Sequence, residues 1–262
     1  MESSEGRNVR LASGPLMPII GLGVWKMENG ADTERAVSLA LAAGYRHIDT
    51  AKLYGNEESV GRAVRESGIP RSEIFVTTKL WPTDFLAPEA AFDASLARLG
   101  LEYVDLYLIH WPVPLMPRSV WQALERIKER GGARAIGVSN FSRSNIESLL
   151  SYARIRPDVN QVKFSPFDYD PHLLEYCRSE NIALEAYSPL TRGAHLSDAA
   201  IAKIAAHYQK SPAQIMIRWC IEHGVIVIPK SSNPDRIREN IDVFDFQIER
   251  DDMDALDTIS RS

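Results

Sequence analysis

The chain has 262 residues, of which 45% are hydrophobic, and both values are typical of a folded protein with a large core. Its formal net charge of −5 argues against sequence-independent nucleic-acid binding, which needs a basic face. No apolar run is long enough to span a bilayer, and residues 1–10 contain no apolar core of a secretory signal. We therefore expect a cytoplasmic protein that binds neither nucleic acid nor membrane, and we expect it to be a monomer.

Short β-rich runs alternate with segments of helical periodicity along the chain. Before them, residues 9–17 are predicted to form a β-hairpin with Ser13-Gly14 at its turn. Eight strands are predicted at residues 19–24, 46–49, 74–78, 104–109, 135–138, 159–162, 183–187 and 225–228. Helices are predicted at residues 32–43, 57–67, 88–99, 119–130, 142–151, 172–180, 197–223 and, as a short final helix, 250–259.

This alternation predicts parallel strands joined by right-handed helical crossovers. Eight such units in a chain of this length predict a single α/β domain over residues 1–262, folded as a (β/α)8 TIM barrel. The alternative is an open, doubly wound sheet. Residues 21–26 read Gly-Leu-Gly-Val-Trp-Lys, so the third glycine of the dinucleotide fingerprint G-x-G-x-x-G is missing, and no P-loop occurs. Both observations disfavour the open sheet.

Polar side chains follow the predicted strands at their carboxyl ends, where the active site of such a barrel forms. They are Asp49, Tyr54, Lys79, His110, Ser139, Asn140, Asn160, Gln161, Tyr187, Ser188, Lys230, Ser231 and Ser232. Each has an ordinary structural explanation when taken alone, such as a helix cap or a solvated charge. Together they predict one functional site.

Four of these residues suit proton transfer. A free tyrosine has a pKa of about 10, too high for an efficient proton donor at neutral pH, and a nearby ammonium lowers it. Lys79 can supply that ammonium to Tyr54, while Asp49 holds Lys79 and offsets the cost of burying its charge. His110 can donate a hydrogen bond to a carbonyl oxygen. No H-E-x-x-H or C-x-x-C spacing occurs, so no metal is expected.

Longer motifs resemble the signatures of the aldo-keto reductase family. They are GYRHIDTA at residues 44–51, YGNE at 54–57, VTTKLW at 76–81, LEYVDLYLIHWP at 101–112, AIGVSNF at 135–141, YSPL at 187–190, IPKS at 228–231, and the pairs Arg236-Ile237 and Glu239-Asn240. They run in the family's order from about residue 17 to about residue 259. The resemblance, in particular to small members such as 2,5-diketogluconate reductases and prostaglandin F synthase-like reductases, implies NADPH-dependent reduction of aldehydes and ketones.

The resemblance also implies residue roles. Tyr54 is the proton donor, Lys79 and Asp49 tune it, and His110 positions the carbonyl. The implied NADPH/NADP+ site comprises Gly23, Trp25, Ser139, Asn140, Gln161, Tyr187, Ser188, Leu190, Lys230, Ser231, Arg236, Glu239 and Asn240, in which the residues at 139, 140 and 161 hold the nicotinamide carboxamide. The implied pocket for the small carbonyl substrate is lined by Trp25, Tyr54, Trp81, His110 and Trp111.

Two other functions stay open at this stage. One is a non-catalytic or regulatory nicotinamide-binding protein on the same fold, which the complete set of four proton-transfer residues disfavours. The other is an unrelated barrel hydrolase or isomerase, which would need a metal cluster, a carboxylate pair or a phosphate loop, and the sequence contains none of these.

Lys230 and Arg236 are predicted to form a local site for the phosphate that distinguishes NADPH from NADH, although both also fit solvated surface cations.

Overall fold

The computed structural model describes residues 7–259, in which strands and helices alternate after a short N-terminal hairpin. The strands are β1 (Asn8–Arg10), β2 (Leu16–Pro18), β3 (Leu22–Gly23), β4 (His47–Asp49), β5 (Phe75–Leu80), β6 (Val104–Ile109), β7 (Ala133–Ser139), β8 (Val159–Lys163), β9 (Ala183–Tyr187) and β10 (Ile226–Ile228). The helices are α1 (Ala31–Ala42), α2 (Glu57–Glu66), α3 (Pro88–Leu99), α4 (Arg118–Glu129), α5 (Arg143–Leu150), α6 (Pro171–Ser179), α7 (Ala199–Tyr208), α8 (Pro212–Glu222), α9 (Pro234–Ile241) and α10 (Arg250–Thr258).

Strands β3 to β10 form one parallel sheet in chain order, and the sheet closes on itself. The closure joins the segment before β3 to β10: the Gly21 amide donates to the Val227 carbonyl at 2.8 Å, and the Val227 amide donates to the Ile19 carbonyl at 2.9 Å. The predicted (β/α)8 barrel is therefore confirmed. The predicted first strand, residues 19–24, is shorter than expected because its first residues contribute only an isolated bridge to β10.

The hairpin of β1 and β2 covers the amino-terminal end of the barrel, as expected. Its turn is fixed by Ser13, whose amide and hydroxyl donate to the two carboxylate oxygens of Asp158 at 2.8 and 2.9 Å. Asp158 directly precedes β8, so this contact lies at the amino-terminal strand ends. The opposite, carboxyl-terminal end of the barrel is therefore the end that is available for a functional site.

The barrel strands are buried on both faces, which explains why they read as short continuous runs rather than alternating patterns. All six residues of β5 and all six of β6 are buried. Because the strands are parallel and in register, their carboxyl-terminal residues meet at one rim; Ser139 pairs with Gln161 across β7 and β8, for example. This arrangement brings residues far apart in sequence to one place.

One predicted helix, residues 197–223, is two helices in the structure. Gln209 ends α7 in the left-handed conformation, with φ of 54°. Ser211 then caps α8: its hydroxyl accepts from the Gln214 amide, and the Gln214 side chain accepts from the Ser211 amide. The other predicted helices, and the predicted strands after the first, agree with the structure to within two residues at either end.

Within residues 7–259 no helix combines the length and apolar character that crossing a membrane would require. The same residues contain no cluster of three or more side chains suited to holding a metal ion. Cys177 and Cys220 are both free and buried, in agreement with the absence of a C-x-x-C spacing. The ends of the expected domain, residues 1–6 and 260–262, lie outside the described residues.

Helices α2 and α3 pack so closely at Gly61 that no larger residue fits. A Cβ atom on Gly61 would lie 1.8 Å from the backbone carbonyl oxygen of Leu99. We predict that Gly61→Ala lowers the free energy of unfolding by about 2 kcal/mol or more, because backbone rather than a flexible side chain must move. Urea denaturation measures the loss, with Glu66→Ala on the exposed side of α2 as the control, expected to change stability by less than about 0.5 kcal/mol. Equal effects of the two substitutions would contradict the packing argument.

Candidate active site

A cavity of about 840 Å³ opens at the carboxyl-terminal rim of the barrel. It is lined by every residue that the sequence assigned to cofactor or substrate, namely Gly23, Trp25, Tyr54, Trp81, His110, Trp111, Ser139, Asn140, Gln161, Tyr187, Ser188, Leu190, Lys230, Ser231, Arg236, Glu239 and Asn240. Asp49 also lines it, while Lys79 is fully buried. The structure thus brings these residues together at one rim. Asn160 is the exception among the strand-end residues that the sequence singled out: it is buried outside the cavity lining, where its side chain donates to the Phe141 carbonyl at 2.9 Å.

A buried ion pair joins the ends of β4 and β5. The Lys79 ammonium donates to both carboxylate oxygens of Asp49 at 2.7 Å and to the Thr50 carbonyl at 2.8 Å, and it lies 3.5 Å from the hydroxyl of Tyr54. Burial opposes the charge on Lys79, but Asp49, with smaller contributions from Tyr54 and Glu185, outweighs burial, so that the pKa of Lys79 is raised. The lysine is therefore a fixed cation beside the tyrosine.

The expected net lowering of the Tyr54 pKa is wrong for the free protein. Lys79 does lower the pKa, but burial of the phenol raises it by more, so that the pKa of Tyr54 lies above its usual value of 10.0. Tyr54 consequently keeps its proton across the physiological pH range. The sequence located both partners but not the depth at which the ring is buried.

His110 is a neutral imidazole at the cavity wall. Burial and the nearby Lys79 ammonium lower its pKa from 6.5 to about 3. Its ring makes edge contacts with Tyr54 and Trp81, at centroid separations of 5.6 and 5.0 Å, and its Nδ1 atom is buried without a hydrogen-bond partner. A neutral imidazole carries one N–H, so His110 can donate one hydrogen bond but does not act as an acid at neutral pH.

An amide and hydroxyl cluster follows β7. Asn140 adopts a left-handed conformation, with φ of 62°, which turns the chain sharply at the strand end. Its Nδ2 donates to the His110 carbonyl at 3.2 Å and to the Ser139 hydroxyl at 3.0 Å, while its Oδ1 accepts from the Tyr187 hydroxyl at 2.8 Å. These hydrogen bonds fix polar groups and one aromatic ring along the same side of the cavity.

Glu185 is a residue of this region that the sequence did not single out. The Gln161 side-chain Nε2 donates to Asp49 Oδ2 and to Glu185 Oε2, both at 2.9 Å. Glu185 is fully buried in β9, and burial followed by repulsion from Asp49 raises its pKa from 4.5 to about 8. The only signal in the sequence is a glutamate inside an otherwise apolar strand, which does not reveal its partner.

The far end of the cavity is basic. Lys230 follows β10, and Arg236 lies in the first turn of α9, where the Asn233 side chain caps the helix. Both side chains are exposed and line the cavity, and neither makes an ion pair with any residue between 7 and 259. Arg238, two residues further on, pairs instead with Asp235 at 3.2 Å. Two uncompensated cations on an acidic chain suit an anionic group.

Two further cations at the cavity were not anticipated. Lys26 and Arg192 lie over the ring of Trp25, with the charged atoms 4.7 and 4.5 Å from its centroid. Trp25 follows β3 and Arg192 follows β9, so their contact spans the end of β10, which lies between these strands. The irregular segment between β9 and α7 thus supplies a cation to this side of the cavity.

The buried carboxyl of Glu185 makes stability depend on pH. Its pKa is about 8 in the folded protein and 4.5 when unperturbed, so between these values the folded state holds a proton that the unfolded chain releases. We predict that the free energy of unfolding, relative to that of Glu185→Gln, falls as the pH rises from about 5 to 8, by at most about 1.4 kcal/mol per unit. The neighbours Asp49, Lys79 and His47 are the same in both proteins. Denaturation curves whose difference stays constant over this range would rule the effect out.

Comparisons with known proteins agree with this geometry. The model of the aldo/keto reductase family matches residues 19–261. Glyoxal reductase of Bacillus subtilis (strain 168) is 46% identical over an alignment of 263 positions, which covers 100% of this chain and 95% of the relative. Methylglyoxal reductase DkgA of Yersinia pestis is 45% identical over 252 residues, 95% of this chain and 91% of the relative. A crystal structure of an aldo/keto reductase from Brucella melitensis superimposes with a TM-score of 0.92 at 47% identity, covering 96% of this chain and 98% of that one. The chain therefore belongs to the aldo/keto reductase family.

Proposed function

We propose that the protein reduces aldehydes and ketones to alcohols with NADPH. The observation that carries the proposal is the position of Tyr54: a protonated phenol in the cavity wall whose oxygen lies 3.5 Å from a fully buried, carboxylate-paired lysine. A proton donor held beside a fixed cation suits a reaction in which negative charge develops on oxygen. The bound nicotinamide would supply the hydride, and the residues of this chain supply the proton and the electrostatics.

Tyr54 is the proposed acid. As an alkoxide develops from the carbonyl, the Tyr54 hydroxyl donates its proton to that oxygen, and the resulting phenolate is stabilised by the adjacent Lys79 ammonium. Asp49 does not take part in the transfer; it holds the lysine in place through two hydrogen bonds of 2.7 Å and prevents an unpaired charge in the barrel. The high pKa of the free phenol keeps the proton available until negative charge forms.

His110 is the proposed orienting residue. Because its pKa is about 3, it stays neutral and directs an N–H at the carbonyl oxygen without competing with Tyr54 as an acid. Its ring contacts both Tyr54 and Trp81, so a substrate oxygen that accepts from His110 also approaches the phenol. This division of roles gives one group the proton and the other the alignment.

The cavity fits a nicotinamide dinucleotide phosphate. Ser139, Asn140 and Gln161 offer amide and hydroxyl groups for the carboxamide, and the Tyr187 ring offers a flat face for stacking. The anionic end of the cofactor would reach the basic end of the cavity, where Lys230 and Arg236 supply the positive charge. The proposed contacts there are Lys230, Ser231, Arg236, Glu239 and Asn240. All of these residues come from one chain, so we propose that the monomer is sufficient for function.

The substrate side of the cavity is apolar and partly open. Trp25, Trp81 and Trp111 line it, and the Trp111 side chain is 48% exposed at the rim. We propose small aldehydes and ketones, including dicarbonyls, as substrates. The names of the glyoxal and methylglyoxal reductases that resemble this chain support that class. A purely regulatory nicotinamide-binding role has no specific observation in its favour.

The first test removes only the acidic proton. We predict that Tyr54→Phe lowers kcat/KM for methylglyoxal reduction by at least about 100-fold, since a positioned acid contributes about 10²–10⁴-fold. The fold and NADPH binding should be nearly unchanged because the ring remains. The measurement is the loss of NADPH absorbance during steady-state turnover.

The matched control is Tyr176→Phe, which removes a hydroxyl from a tyrosine on α6 that does not line the cavity. It should leave the activity unchanged. A Tyr54→Phe variant with more than about a tenth of the wild-type rate would contradict the assignment of the proton donor. A wild-type protein that binds NADPH but reduces no carbonyl would instead favour the regulatory alternative.

The second test concerns the cofactor phosphate. We predict that the wild type prefers NADPH to NADH by at least about 100-fold in kcat/KM, because two hydrogen bonds to a charged group contribute about 1.5–3 kcal/mol each. Lys230→Ala and Arg236→Ala should each weaken NADPH binding while leaving NADH nearly unaffected. Arg238→Ala is the control, since it removes an arginine from the same helix that pairs with Asp235 and does not line the cavity. Equal losses for the two cofactors would count against a phosphate site at these cations.

A further inference from the structure

The side-chain amide of Gln161 is held from two sides. Gln161 and Glu185 are register partners on β8 and β9, and Asp49 approaches from β4 on the other side of the barrel interior. The amide nitrogen donates one hydrogen bond of 2.9 Å to each carboxyl group. A primary amide has only two N–H bonds, so both are used. The carbonyl Oε1 of Gln161 is the one polar atom of this side chain left for the cavity.

Neither carboxyl alone would define this orientation. With one N–H anchored, the amide can rotate about that hydrogen bond and carry its carbonyl oxygen away from the cavity. Two acceptors in different directions fix the plane of the amide. Asp49 is needed at this place to neutralise Lys79, so its hydrogen bond to Gln161 is explained by the ion pair. Glu185 makes no ion pair with a lysine or arginine within residues 7–259, and its hydrogen bond to Gln161 is its only one there.

The cost of placing Glu185 here is considerable. Its side chain is fully buried and its Oε1 has no hydrogen-bond partner. The Nε2 atom of His47 lies 3.6 Å from that oxygen, but the pKa of this imidazole is lowered to about 3, so it carries no compensating charge at neutral pH. An apolar residue would fill a barrel interior more favourably than an incompletely bonded carboxyl. The hydrogen bond that it accepts from Gln161 is the one interaction in the described residues that explains a carboxyl group at this position.

We propose that Glu185 is a positioning residue that fixes Gln161 with its carbonyl oxygen toward the cavity, as the acceptor for the amide N–H of a nicotinamide carboxamide. This inference rests on the proposed function, because it assumes that the nicotinamide binds at this wall. Asn140 is already bonded on every side: both its N–H bonds are donated, to the His110 carbonyl and the Ser139 hydroxyl, and its carbonyl oxygen accepts from the Tyr187 hydroxyl. Glu185 thereby makes the site selective for a nicotinamide ring that carries an N–H donor.

The proposal separates position from charge. A carboxyl group accepts through its carbonyl oxygen whether or not it is ionised, so a neutral amide at the same place should serve equally well. Glu185→Gln keeps an acceptor of the same length, whereas Glu185→Leu keeps the volume and removes the acceptor. Comparing these two variants therefore isolates the hydrogen bond from both charge and packing.

The test compares two dinucleotides that differ at one group. NADP+ carries the carboxamide, and the 3-acetylpyridine analogue of NADP+ carries a methyl ketone, in which a methyl group replaces the NH2 donor. Dissociation constants are measured by isothermal titration calorimetry, so that no turnover is needed. We expect the wild type and Glu185→Gln to bind NADP+ about three- to tenfold more tightly than the analogue, the value of one hydrogen bond. In Glu185→Leu this preference should fall to less than about twofold, through weaker NADP+ binding alone.

Each outcome decides the matter. A Glu185→Leu protein that keeps the wild-type preference, or that binds both dinucleotides more weakly by the same factor, overturns the proposal, because a merely structural role would affect both. Loss of the preference in Glu185→Gln would also overturn it, since charge would then be required. A wild type that binds neither dinucleotide overturns the proposed function itself. Circular dichroism verifies folding, and Glu185→Met serves as a second variant without the acceptor if the leucine does not fold.

Discussion

The Lys79 ammonium lies inside the barrel with no exposed surface, and the fold accommodates it because the Asp49 carboxylate stands against it. Taking either ion from water alone would be costly, and removing one partner of such a pair typically destabilises a protein by about 3–5 kcal/mol. Both side chains come from adjacent strands, β4 and β5, whose register sets the 2.7 Å contacts. The site therefore depends on the same backbone pairing that holds the barrel together.

Burial and the field of this ammonium together determine the protonation of its neighbours. Burial first, and then the ammonium, lower the pKa values of His110 and His47 to about 3, so that both imidazoles are neutral. It opposes, without overcoming, the effect of burial on Tyr54. At neutral pH the site thus contains a neutral imidazole, a protonated phenol and a single fixed cation. This is a set of groups that can release a proton only when negative charge develops beside the phenol.

The strand ends were predictable from the sequence because parallel register is a simple rule: each predicted strand of the barrel delivers its last polar residue to one rim. The depth at which a side chain is buried and the direction in which it points were not predictable. Glu185 lies in the strand interior, and its contact to Gln161 depends on which way two side chains point. The net pKa of Tyr54 depends on burial, which no local pattern reveals. Arg192 comes from an irregular turn with positive φ at two non-glycine residues, and no periodicity describes such a turn.

The division of labour within the barrel has an evolutionary consequence. The buried floor, with Lys79, Asp49 and Gln161, is built from paired strands, where a substitution disturbs several hydrogen bonds at once. The rim is built from short irregular segments, in which Trp111 is half exposed and Leu115 is almost fully exposed. Rim segments can therefore lengthen, shorten or change composition with little effect on the floor. Divergence among descendants of such a chain should accumulate at the rim, so that one inherited chemistry becomes available to many different carbonyl compounds.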